Sequence, residues 1–99
     1  MAYSIFISDE AALDIIEAFN WYQAIDMKLS IKFEKEIERS LEQIKNNPNQ
    51  FQLKYKAVRV LFLNKFPFGI HYIKNNKKIR IVALFHTSRN PNNWVGEDR

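Results

Sequence analysis

Apolar and polar residues along this chain first alternate, then recur every three to four positions, then alternate again. Tyr3, Ile5 and Ile7 alternate with Ser4 and Phe6, the two-residue period of a short strand. Ser8 follows as a helix N-cap, with Asp9 and Glu10 where the helix dipole favours negative charge. Ala11, Ile15, Ala18, Tyr22 and Ile25 then recur at steps of four and three, which predicts one stripe of an amphipathic helix ending near Gln23 to Ile25. Phe19 and Trp21 widen that stripe or serve a partner surface. Asp26 is placed to cap a second helix, whose stripe is Leu29, Phe33, Ile37, Leu41 and Ile44. Its charges, from Lys32 through Glu36 to Lys45, read as a solvated face with weak pairs such as Lys32 with Glu36. Asn46, Asn47 and Pro48 end it, and the short link makes the two helices an antiparallel hairpin.

The alternation returns in the second half. Tyr55 to Leu63 predicts a strand with Val58, Val60 and Phe62 on one face and Ala57, Arg59, Leu61 and Leu63 on the other. Asn64 to Pro67 turns into a second strand, Phe68 to Ile73. Asn75–Asn76–Lys77 is a polar hairpin turn whose two Asn tolerate positive φ. In the last strand, Ile79, Ile81, Ala83 and Phe85 alternate with Arg80, Val82, Leu84 and His86. Its middle is apolar on both faces, which suits a central strand. A polar loop from His86 to Asn93 follows, closed by Trp94. The predicted order is β-α-α-β-β-β. This is an α+β domain spanning residues 1–99, an antiparallel sheet with one face covered by the N-terminal helical hairpin.

Composition narrows the function classes. There is no cysteine, so neither a disulfide nor a thiolate metal site is available. The apolar runs are too short for a membrane span, and MAYSIFISDEAALD has no basic region that would mark a signal peptide, so a cytoplasmic location is expected. The net charge of +4 is unevenly spread. Residues 1–53 hold five basic and nine acidic groups (5 − 9 = −4), and residues 54–99 hold ten basic and two acidic groups (10 − 2 = +8). A basic second half points to an acidic partner or a polyanion, with a solvated basic surface as the alternative.

The chemistry-bearing residues follow that charge. His71 and His86 lie on separate strands with no supporting carboxylate spacing, a poor fit to a metal ligand set, and no glycine-rich phosphate loop is present. Lys54, Lys56, Arg59, Lys65, Arg80 and Arg89 leave a cationic set on the strands and loops, with Trp94 at its end. Lys and Arg bind phosphates, and an aromatic stacks on a base. His86 either transfers protons or is a strand-end histidine satisfied by a carbonyl. His71 reads as a packed mid-strand histidine.

In order and spacing, these segments resemble the RelE/ParE superfamily of toxins from bacterial type II toxin–antitoxin modules. The resemblance covers about residues 3–94. It rests on the strand and helical hairpin, Trp21–Tyr22, Pro48, Arg59, the segment Phe66–Pro67–Phe68–Gly69–Ile70–His71–Tyr72, and the Ile79-to-His86 strand running into Arg89, Pro91 and Trp94. It implies a toxin neutralised by a cognate antitoxin protein, with Phe19 and Trp21 as antitoxin-binding residues, and no cofactor or metal. RelE-type members cut mRNA on the ribosome, and ParE-type members inhibit DNA gyrase. Under the nuclease alternative, Lys56, Arg59, His86 and Arg89 would be catalytic. Gly69 or His71 falls where that type has a mid-strand arginine, and Trp94 falls nearest its C-terminal tyrosine. The ParE branch is therefore favoured, with Lys54, Arg80, Arg89 and Trp94 as target-binding residues. A non-toxic binding domain is the remaining alternative.

Overall fold

A computed structural model of the chain describes residues 3–87. The elements are β1 (Ser4–Ile7), α1 (Asp9–Ile25), α2 (Met27–Asn46), a short 3-10 turn (Pro48–Gln50), β2 (Leu53–Tyr55), β3 (Val58–Phe62), β4 (Phe68–Asn75) and β5 (Lys78–His86). The strands form one sheet in the order β1-β5-β4-β3-β2. The expected antiparallel pairing holds from β2 to β5, while β1 runs parallel to β5, which makes the sheet mixed. The helical hairpin lies between β1 and the later strands in sequence and lets the chain return in that sense.

The helix caps are local chemistry. Ser8 Oγ accepts from the Ala11 amide at 3.0 Å and starts α1. Asp26 alone separates the helices. Its backbone N–H donates to Tyr22 O at 2.9 Å, closing α1, and its Oδ1 accepts from the Lys28 amide at 2.9 Å, opening α2. Both helices then turn their stripes onto one sheet face. Ala11, Ala18, Phe33, Ile37 and Ile44 are buried there against Leu61, Ile70, Tyr72, Ile79, Ile81 and Leu84. At one end Tyr22, Phe33, Phe66 and Phe68 pack their rings at centroid distances of 5.0 to 6.4 Å. Ile25, expected in the stripe, is exposed instead.

Three features depart from the sequence reading. The strand expected from Tyr55 to Leu63 is two strands, because Lys56 at φ 47° and Ala57 form a two-residue turn in which Tyr55 pairs with Val58. Asn76, at φ 58°, makes the corresponding turn between β4 and β5 as expected. The second departure is in β5. Tyr72 pairs with Ile81 and His71 with Ala83, so Val82 has no counterpart and forms a bulge. Ile79 and Ile81 therefore face the helices, but beyond the bulge Leu84 and His86 do, and Ala83 and Phe85 turn to the opposite face. The third is Glu36. It is buried rather than solvated, and its carboxylate accepts hydrogen bonds from the backbone amides of Asn64 and Lys65, the latter at 3.2 and 3.3 Å. It pins the β3–β4 loop to α2.

Replacing Glu36 by Ala leaves those two amides without their carboxylate. The variant is expected to lose about 1–3 kcal/mol in urea unfolding with an unchanged urea dependence. Loss below a few tenths of a kcal/mol would show that the loop is held by other contacts. Tyr72 offers a pH readout. Burial pushes its phenol up to about 12, with Arg59 pulling the other way. A phenol raised above its unfolded value stabilises fully below the unfolded value and loses that contribution as pH rises through the folded one. Of the four tyrosines, one component of the ultraviolet tyrosinate titration should therefore persist into the most alkaline range. It should vanish in Tyr72→Phe.

Candidate functional site

The cationic residues do not form one patch among the described residues. Arg59 pairs with Tyr72 and points to the helix side, where its Nη1 donates to Phe51 O at 2.7 Å and Asn49 O at 3.3 Å. It fastens the segment that follows α2. Lys56 sits in the β2–β3 turn, and Lys54 lies with its Nζ 5.6 Å from the Phe62 ring centroid. Lys65 is exposed in the loop after β3. Arg80 pairs with Ile73 and Phe6 on the face away from the helices. His86 pairs with Phe68 on the helix side, six residues further along β5, or roughly 20 Å at the rise of a strand. Without the Val82 bulge, Arg80 and His86 would share a face; the bulge parts them. Arg89 and Trp94 lie outside the described residues.

His71 is fully buried on the face away from the helices. Its Nδ1 shares a hydrogen bond of 3.1 Å with the Tyr55 hydroxyl, and its ring meets Phe85 edge-on at 4.8 Å. Gly69 lies beside it in β4, and a Cβ there would come within 2.9 Å of Val60 Cγ1. Any side chain at this position, an arginine included, needs its neighbours to move. Among the described residues, no cluster of three or more His, Asp or Glu is placed to hold a metal ion, and no helix is long and apolar enough to cross a membrane.

The helical side carries two concave surfaces. A groove of ≈ 330 Å³ runs between the helices and β1, lined by Ile7, Ile15, Ile16, Phe19, Phe33, Ile37 and Leu41, with Glu34 and Glu38 at its polar side. Ile7 and Ile16 are exposed in it, and β1 beside it is an edge strand. Phe19 lines this apolar groove. Trp21 does not join it. Two residues on a helix differ by about 200° around the axis, and Trp21, 68% exposed, lines a separate hollow of ≈ 290 Å³ with Asp14, Glu17, Phe68 and His86. Ile16 is the signal in the sequence for this groove, since it is apolar yet off the predicted helix stripe.

No curated protein sequence matches the chain. A solved structure described as "Chromosomal ParDE TA system from P. aeruginosa" superposes with a TM-score of 0.75 at 20% identity, over 86% of this chain and 96% of that one. At that identity the likeness is one of fold. Residues 5–91 match the family of the ParE toxin of the type II toxin–antitoxin system parDE. With the match running over nearly the whole chain, the protein belongs to the ParE toxin family of type II toxin–antitoxin systems.

Proposed function

We propose that the protein arrests growth by binding DNA gyrase and that a cognate antitoxin protein silences it by occupying the groove between the helices and β1. The observation that carries the reading is the family match over residues 5–91. The spread of Lys56, Arg59 and His86 over a turn, the helix side and the far end of β5 weighs toward a binding toxin and against an mRNA endonuclease. A nuclease needs its acid, base and cation within hydrogen-bond reach of one phosphate. The groove has the two features a wrapping partner uses: an apolar trough for an amphipathic helix and a neighbouring strand edge open to pairing. Arg80 and Lys54 on the sheet, together with Arg89 and Trp94, which lie outside the described residues, remain the proposed target contacts.

Purified protein at micromolar concentration should inhibit supercoiling by gyrase while leaving mRNA intact in a cell-free translation reaction. Untouched supercoiling, or mRNA cut at the ribosomal A site, would remove the gyrase assignment. The antitoxin surface is tested separately. Ile16→Glu and Leu41→Glu place charge in the trough, and each should weaken capture of the antitoxin encoded beside the gene by about tenfold or more, a 1.4 kcal/mol change. Wild-type capture by both variants would move the antitoxin elsewhere.

A further inference from the structure

The sheet face away from the helices carries a further concave site, of ≈ 370 Å³, at the β1 end. Strand register builds it in two rows. Phe6, Arg80 and Ile73 are direct neighbours across β1, β5 and β4, and Ser4, Lys78 and Asn75 form the adjacent row. Arg80 and Lys78 are two residues apart on one strand, so their Cα atoms are about 7 Å apart and their side chains leave the same face. Phe6 is 53% exposed, and its Cα is the register partner of Arg80 across β1 and β5, so an apolar ring and a cation leave the same face at neighbouring positions. Lys78, Arg80 and Asn75 are exposed as well.

We infer that this site binds one nucleotide unit of a single-stranded nucleic acid, with the phosphate held by Lys78 and Arg80 and the base stacked on Phe6. Two neighbouring cations supply the charge a phosphodiester needs. A flat exposed aromatic next to them supplies a stacking platform that accepts any base. Asn75, with an amide donor and a carbonyl acceptor, can reach a base edge or sugar hydroxyl. An acidic peptide would use the same cations but carries a ring only at particular residues, whereas every nucleotide pairs a phosphate with a base to place on Phe6, which is why the nucleic acid is the better fit. The grip is independent of base sequence and involves no bond cleavage. It lies on the opposite face from the antitoxin groove and does not rest on the gyrase assignment.

The test is fluorescence anisotropy of the full chain with end-labelled ten-nucleotide oligo-dT and oligo-U, titrated at several salt concentrations. Binding should weaken with salt, with a log–log slope near −0.7 for each phosphate held. Lys78→Gln with Arg80→Gln should flatten that slope and weaken binding at least about tenfold. Phe6→Ala should weaken it at least about fivefold with the slope unchanged, and Phe6→Trp should restore or tighten it, which separates stacking from a folding defect. The DNA and RNA probes distinguish the two sources of the same phosphodiester chemistry, and binding of either one sustains the site. No salt-sensitive binding to either probe would overturn the proposal. So would displacement by a polyglutamate peptide as readily as by unlabelled oligonucleotide, or wild-type affinity in both Phe6→Ala and the double glutamine variant.

Discussion

β1 stops at Ile7, opposite Ile81, while β5 runs on to His86. From that point the outer edge of β5 has lost its strand neighbour, and its backbone groups need other partners. Helix α1 supplies them. The Ser8 amide donates to Ile81 O at 3.0 Å, the Ser8 hydroxyl donates to Val82 O at 3.4 Å, and the Leu84 amide donates to Asp14 Oδ2 at 3.1 Å. The residue that caps the helix therefore also reaches both residues at the bulge. This junction sets where α1 crosses the sheet, and through α1 where α2 and the groove lie.

The same junction sorts the two faces. Because Val82 is an extra residue, the side chains of β5 change sides at the place where the strand neighbour changes from β1 to α1. Leu84 is thereby brought into the main core with Ile70 and Ala18. Ala83 and Phe85 go to the second apolar cluster, beside Tyr55 and Ile73. A strand apolar on both faces tolerates this switch, since either face of Val82 to Phe85 can be buried at about 1.5–3 kcal/mol per large side chain. An alternating polar strand would not, because the switch would bury its polar residues unpaired.

The distribution of function follows from that sorting. The helical side offers apolar surface next to an open strand edge, suited to a protein segment that folds on binding. The opposite face offers cations and an exposed ring in cross-strand rows, suited to a polyanion. The two faces thus present different chemistry, an apolar trough on one and cations with an exposed ring on the other. One residue that reads as a candidate site residue and one that reads as solvated charge are structural in their described contacts. Arg59 holds the chain after α2, and Glu36 holds the loop after β3.

Ser8, Asp26, Pro48 and Asn76 were legible as caps, stop and turn because their effects are exerted on amides a few residues away. The helix stripes, the element order and the surplus of positive charge in the second half were legible for the same local reason. The Lys56 turn was not, since a lysine carries no mark of positive φ and the run around it still alternates. Nor was the bulge at Val82. In a strand apolar on both faces, hydrophobicity cannot say which residue lacks a partner; that depends on β4, on the end of β1 and on two side chains from α1 about 70 residues earlier. The sequence alone therefore determined the two helices, the strands other than the β2–β3 split, and what charges they carry. Only tertiary pairing decided which face each β5 side chain takes, and so that Arg80 and His86 part company while Phe6 and Arg80 meet.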